Sequence, residues 1–313
     1  MAEIKTVNKA LIPVAGLGTR MLPATKAVPK ELLPILDKPL IQYVVEEASY
    51  AGIDEIIFIT RSGKEAIENH FDSNFELESI LTKTNKKNIL KKFPKNKLNK
   101  ISFSSIRQEE PLGLGHAILT AKHTLRKNES FAILLPDEFL LNDNKENDLS
   151  RMIKNFKNSG KGQILVEKSK KRDISNYGVV NLENKKLTNF KSQKIIDLIE
   201  KPLSSKIPST YRIIGRYILP YDIIKNLEST VPDKNNEIQL TDAINSLIKS
   251  GAQELEAVLS NSNVFDCGSI KGFLGANMLL ASKDKELKNY IKSFVFKSPG
   301  GGIGRHKGLK IPR

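Results

Sequence analysis

Between residues 10 and 137 the chain alternates short apolar runs with stretches of helical spacing. The first run, residues 10–15, ends in Gly16-Leu17-Gly18-Thr19-Arg20 and reads as a buried strand feeding a glycine-bearing loop. From residue 39, Ile41, Val44, Val45, Ala48 and Ala51 mark a helix that Gly52 stops, and 55–60 is a second buried strand. A strand at 101–106, a helix over 115–125 and a strand at 131–135 repeat the alternation. Strands that are apolar on both faces and separated by helices predict an α/β fold with a mainly parallel sheet covered on both sides. Ligands of such sheets sit at the carboxyl ends of the strands.

The residues after Arg20 include Pro23, Pro29 and Pro34, so this stretch is expected to be an ordered loop and not a helix. Beyond Asp137 a helix at 149–156 precedes short strands at 163–167, 177–181, 195–200 and 211–219. These are expected to extend the sheet into a β-rich second lobe, closed by helices at 221–227, 237–248 and 271–289. There is no internal repeat and no low-complexity linker before the C-terminus. The expected organisation is one composite unit over 1–290, with a nucleotide-binding part at about 1–140 and a second part at about 141–290, then a basic, glycine-rich tail at 291–313.

The formal charge of +15 raises the question of a nucleic-acid partner, and its distribution answers it. Residues 81–100 hold eight lysines and no acid, and Arg305, Lys307, Lys310 and Arg313 lie in the tail; together they supply twelve of the fifteen charges. The first is rich in Asn and Lys without aromatic interleaving and the second carries Gly300, Gly301, Gly302 and Gly304, so they read as solvated loop and tail, and no specific nucleic-acid groove is expected. No apolar run approaches the length of a membrane span. The chain starts Met1-Ala2-Glu3 without the features of a secretory signal, and Cys267 is its one cysteine; no membrane association and a reducing, cytoplasmic location are expected.

Met21 stands where a G-x-G-x-x-G fingerprint needs its third glycine, and no G-x-x-x-x-G-K-[ST] occurs, which disfavours a Rossmann dehydrogenase and a P-loop kinase. What remains is the Gly16–Gly18 turn with Arg20, Lys26 and Lys30 behind it. Backbone N–H groups and fixed cations are what a polyphosphate requires. Gln108, directly after a strand, can donate and accept at a base edge, and Gly113 leaves room for a flat ring. His116, in the same segment, reads as structural and not catalytic. Asp137 and Asp266 each end an apolar run and can share one Mg²⁺; aspartates at strand ends also serve as turn formers. Glu200 and Lys201 pair a hydroxyl-binding acid with a phosphate-binding cation, and serve one ligand only if the strand ends or bulges there.

In order along the chain stand AGLGTR (15–20), LPATKAVPKELLPILDKP (22–39), EPLGLGHA (110–117), LLPD (134–137), EKP (200–202), GRYIL (215–219), EIQLTDAI (237–244) and FDCGS (265–269). This set resembles the bacterial UTP:glucose-1-phosphate uridylyltransferases, or UDP-glucose pyrophosphorylases, of the sugar nucleotidyltransferase superfamily over residues 5–290. The resemblance implies a Rossmann-like nucleotidyltransferase fold with a β-rich sugar-binding lobe. It implies formation of UDP-glucose and pyrophosphate from UTP and glucose 1-phosphate, with Mg²⁺ as cofactor, in a homodimer or homotetramer. It further implies that Ala15, Gly16, Gly18, Glu31, Gln108 and Gly113 hold the nucleotide, Glu31 and Gln108 bearing most of the base choice. Arg20, Lys26 and Lys30 would bind the triphosphate, Asp137 and Asp266 the metal, Lys201 the sugar phosphate, and Gly178, Glu200 and Gly215 the glucose; Arg20, Lys30, Asp137 and Lys201 would carry catalysis.

Glu138 follows Asp137 where the family varies, and is either a carboxylate supporting the metal site or an exposed strand end. The Lys-rich stretch and the tail carry none of the motifs. Three rival readings stay open: the same scaffold with another nucleotide or sugar 1-phosphate; a catalytically silent regulatory homologue, against which the intact Arg20, Lys30, Asp137, Asp266 and Lys201 argue; and a nucleic-acid or polyanion binder using the surplus lysines, whose affinity would fall steeply with salt.

Overall fold

The computed structural model describes residues 6–94, 98–142, 146–170, 174–184, 186–188 and 191–296. Strand β1 (Lys9–Pro13) is followed by three 3₁₀ turns at Thr19–Met21, Ala24–Lys26 and Lys30–Leu32. A ribbon of β2 (Pro34–Ile35) and β3 (Lys38–Pro39) leads into α1 (Leu40–Tyr50) and β4 (Glu55–Thr60). Next come α2 (Glu65–Phe71), α3 (Phe75–Lys83), α4 (Lys87–Leu90), β5 (Ser102–Arg107), α5 (Gly113–Thr120), β6 (Ser130–Leu134) and β7 (Glu138–Leu141). The second half runs α6 (Asp148–Ser159), β8 (Gly162–Lys168), β9 (Val179–Leu182), β10 (Gln193–Ile199), β11 (Tyr211–Pro220) and α7 (Ile223–Ser229). It ends with α8 (Leu240–Lys249), β12 (Leu255–Leu259), β13 (Asn263–Asp266), α9 (Ile270–Lys283) and α10 (Lys285–Phe296).

Nine strands form one sheet in the order β5-β4-β1-β6-β11-β8-β12-β10-β9. The half from β5 to β6 is parallel, as the strand–helix alternation requires. Strand β11 then enters antiparallel between β6 and β8, so the second half is mixed. Both faces are covered. Leu11, Ile57, Ile59, Phe131 and Ile133 pack on one side with α5, α7 and α8, while Ala10, Ile12, Ile56, Phe58, Ala132 and Leu134 pack on the other with α1, α2 and α6. This period-two division of uniformly apolar runs is what two buried faces demand. A third cluster, built on Ile35, Leu40, Phe139, Cys267 and Ala276, fastens α9 and the β7–β13 pair to α1 and the β2–β3 ribbon.

Several expectations need correction. Residues 81–92 are not all loop: 81–83 close α3 and 87–90 form α4, with Lys92 beyond it paired to Asp37 at 2.8 Å; Lys95 and Lys97 lie outside the described residues. The helix expected over 271–289 is two, because Asp284 leaves helical geometry and its Oδ1 accepts from Leu287 N at 2.8 Å, capping α10. Residues 291–296 of the expected tail continue α10, and 297–313 lie outside the described residues. Glu138 is no exposed strand end; it is buried at the start of β7.

Candidate active site

The parallel strands deliver their carboxyl ends to one edge, and the loops there carry the predicted groups. Val14 N donates to Ile59 O at 2.8 Å, holding the chain as it leaves β1. Gly18 adopts φ +69°, a left-handed conformation that favours glycine, and its carbonyl accepts from Thr25 Oγ1 at 2.8 Å. The turn thus folds Lys30 back towards Gly16. A cavity of about 480 Å³ opens here, bordered by Ala15, Gly16, Lys30, Glu31, Gln108 and Asp137. Gly18 shapes the loop without lining that cavity.

Beside it lies a compact ionic cluster. Lys30 Nζ is 2.7 Å from Asp137 Oδ2, and Arg20 Nη1 is 2.9 Å from Asp266 Oδ2 with Nη2 3.7 Å from Asp137 Oδ2. Burial would raise the Asp137 carboxyl, but the Lys30 and Arg20 charges outweigh it and hold the group below its ordinary value. Burial likewise opposes the charge on Lys30 and Arg20. The carboxylates win there too, and both cations are raised. The two aspartates converge: a Cβ at Gly268 would lie 2.9 Å from Asp137 Oδ2 and 3.0 Å from Asp266 Oδ1. Cys267 N donates to Asp137 O at 2.7 Å, tying the two chain segments together. Among the described residues no group of three or more His, Cys, Asp or Glu is placed to hold a metal. Two converging carboxylates suit a hard cation that keeps waters and takes its other ligands from a phosphate.

A second cavity, about 240 Å³, is bordered by Glu138, Tyr177, Gly178, Glu200, Gly215 and Tyr217. The pairing of β11 with β8 slips between Ile213 and Tyr217, and Leu135 N donates to Gly215 O at 2.8 Å. Gly215 is required by that close approach, since its Cβ would meet Leu135 Cβ at 2.4 Å. Strand β10 ends at Ile199 and Lys201 takes φ +43°, so Glu200 and Lys201 lie past the regular strand. Their side chains approach to 3.9 Å. Burial raises the Glu200 carboxyl against the pull of Lys201. Glu138 Oε1 accepts from Arg212 Nη1 at 3.2 Å, while burial, resisted by that arginine, pushes its carboxyl up to about 7.

Not every predicted residue joins these groups. Lys26 is exposed, and its nearness to Arg20 and Lys30 in sequence is not matched by a contact between them. Gly113 does border the strand-end cavity; its φ is +91° and a Cβ there would meet Glu237 Cβ at 2.9 Å and Ile238 O at 3.0 Å, so backbone and packing call for a glycine as well. Three contributors were not apparent in the sequence. Lys64 Nζ reaches the fully buried Glu31 at 2.7 Å. Gly268 leaves the space at the centre of the ionic cluster. Glu237, with Leu114 and Leu135, borders both cavities. The EIQ and CGS motifs around Glu237 and Gly268 were the available signal.

The nucleotidyl transferase family model matches residues 9–283. The UTP–glucose-1-phosphate uridylyltransferase of Haemophilus influenzae is 44% identical over 294 residues, 92% of this chain and 97% of that protein. The chain belongs to the UTP–glucose-1-phosphate uridylyltransferase family. The Escherichia coli uridylyltransferase is 43% identical over 306 residues, 96% of this chain and 99% of its own. Among solved structures, a UTP-bound UGPase from Acinetobacter baumannii superposes with a TM-score of 0.85 at 40% identity, covering 93% of this chain and 99% of that one. A UDP-glucose pyrophosphorylase complexed with UDP-glucose gives 0.80 at 37% identity, covering 89% and 100%. The nucleotidyltransferase fold expected from the uridylyltransferase motifs is therefore the one observed.

Proposed function

We propose that the chain transfers the uridylyl group of UTP to glucose 1-phosphate, releasing pyrophosphate and forming UDP-glucose. One observation carries the reading: Lys30 and Asp137 of the Lys30–Asp137–Arg20–Asp266 cluster border the strand-end cavity, fit for a nucleotide, and that cavity shares Leu114, Leu135 and Glu237 with a smaller one fit for a sugar. Relatives described in complex with UTP and with UDP-glucose support the same assignment.

Ala15, Gly16, Glu31, Gln108 and Gly113 receive the uridine, with Gly18 shaping the turn, and Arg20 and Lys30 meet the triphosphate, Lys26 joining them from the exposed side. Gly178, Glu200 and Gly215 hold the sugar, and Lys201 holds its phosphate. A phosphate oxygen of glucose 1-phosphate forms the new bond to the α-phosphorus of UTP as the bond from that phosphorus to the bridging oxygen breaks and pyrophosphate leaves. The attacking phosphate is already ionised near pH 7, so no base is needed and no residue becomes covalently attached. Lys30 and Arg20 steady the charge that gathers on the leaving group. Asp137 and Asp266 would hold Mg²⁺, which when bound supplies further neutralisation of the phosphates.

The same reading includes a homodimer or homotetramer, for which the exposed Ile270, Leu274 and Met278 of α9 offer an apolar face. It also includes a cytoplasmic location, in keeping with the free, buried Cys267. The test is pyrophosphate release with Mg²⁺ and glucose 1-phosphate, comparing UTP with dTTP, CTP, GTP and ATP and adding a chelator. Release with UTP that the chelator abolishes is expected. Asp137→Ala should lower turnover far more than glucose 1-phosphate binding; near-normal turnover would remove Asp137 from the metal site.

A further inference from the structure

Gln108 sits just past β5, buried and on the wall of the nucleotide cavity. Its amide nitrogen has two neighbours: Gly113 O at 3.3 Å and His116 Nδ1 at 3.0 Å. A backbone carbonyl can only accept, so the nitrogen and not the oxygen of the carboxamide faces Gly113. The remaining amide proton then points at His116, whose Nδ1 is the acceptor and whose Nε2 carries the ring proton. With both protons spent inside the protein, Oε1 is the atom Gln108 offers to a ligand.

The two acceptors are held firmly. Gly115 N donates to Ile238 O and Ile238 N to Leu112 O, each at 2.8 Å, so the start of α5 is stitched to the 237–238 segment on both sides of Gly113. His116 lies in the first turns of that helix. The orientation of the Gln108 amide is thus imposed from outside the cavity, before any nucleotide enters.

We infer that His116 is a positioning residue that fixes Gln108 as an acceptor and thereby selects uracil over cytosine. The inference rests on the proposed uridylyl transfer and deepens it. Uracil presents N3–H, a donor, where cytosine presents a bare nitrogen, an acceptor. A locked Oε1 matches the first and opposes the second. Turning the amide to suit cytosine would aim Oε1 at the Gly113 carbonyl, an acceptor, and would require His116 to move its ring proton from Nε2 to Nδ1, so the orientation that suits cytosine is disfavoured. Thymine carries the same N3–H as uracil and is not discriminated by this device.

The test compares wild type with His116→Phe, which keeps a ring but no acceptor, and His116→Asn, which keeps an acceptor near the Nδ1 position. Dissociation constants for UTP, CTP and dTTP by calorimetry and kcat/KM for the same nucleotides are both measured. In His116→Phe the CTP-to-UTP preference should rise about tenfold, the worth of one hydrogen bond of about 1.4 kcal/mol. The dTTP-to-UTP preference should not move, and His116→Asn should restore the wild-type ratios. A purely structural role would instead weaken all three nucleotides alike in His116→Phe, and that result, or an unchanged CTP-to-UTP ratio, overturns the inference. Wild type binding UTP and CTP equally also overturns it. Wild type that binds UTP over CTP yet releases no pyrophosphate overturns only the reaction proposed above, and the binding ratios still decide the role of His116.

Discussion

Arg216, fully buried, grips Glu47 with both arms of its guanidinium, Nε 3.0 Å from Oε1 and Nη2 2.8 Å from Oε2. The remaining N–H groups donate to the carbonyls of Leu135, Gly215 and Glu138. Leu135 and Glu138 flank Asp137, so Arg216 anchors the strand end that carries the candidate metal ligand to α1. The planar fork is what allows one side chain to serve four partners.

Arg216→Met should therefore destabilise the protein by about 3–5 kcal/mol, because it strands the Glu47 charge and takes a donor from three carbonyls. Adding Glu47→Leu should recover part of that loss, since removing both members of a buried pair is far milder than removing one. Urea denaturation of both variants checks this. A double variant no more stable than the single would show that the carbonyl bonds, and not the ion pair, carry the anchoring.

Gly268→Ala should impair turnover with little effect on stability. The new Cβ would lie 2.5 Å from Arg20 Nη2 as well as against both aspartates. Arg20 is an exposed, flexible side chain and can withdraw, but the carboxylates must then part. A displacement of this size at a reacting centre lowers kcat by about a hundredfold. Steady-state kinetics alongside a melting curve separates the two effects, and unchanged kcat would mean the aspartates need not converge.

Lys64 and Glu31 give a pH signature. Burial raises the Glu31 carboxyl above its ordinary 4.5, with Lys64 and Lys30 pulling the other way. The folded state thus binds more protons than the unfolded one above pH 4.5, and Glu31's contribution to stability falls as pH rises through its folded titration. Lys64→Met removes the main counter-charge. Its destabilisation should be smaller near pH 5 than near pH 8, where an ionised Glu31 would lack its hydrogen-bonded partner at a cost of about 3–5 kcal/mol. Denaturation at both pH values is the measurement, and equal losses at both would contradict it.

What could be read from the chain was local. The run ending in Gly16-Leu17-Gly18 and the aspartate after Leu134-Leu135-Pro136 each combine an apolar strand with its own terminating residues, so strand, loop and placement follow from one short window. The pairing of Lys64 with Glu31 joins residues 33 positions apart, and the meeting of Arg20 with Asp266 spans 246. Neither is encoded in a window. Lys26 shows that neighbours in sequence need not touch in space: it stands exposed, outside the Arg20 and Lys30 ion pairs. The helices α2 to α4 escaped notice because they bury few side chains, among them Ile67, Phe71 and Leu81, against a largely polar background. Asp284 looked like one more charge on an amphipathic helix until its cap to Leu287 divided it.

The wall shared by the two cavities gives two binding events a common surface. With UTP and glucose 1-phosphate in the cavities proposed for them, both would rest on Leu114, Leu135 and Glu237, and an effect that one has on the other's affinity through that wall is reciprocal.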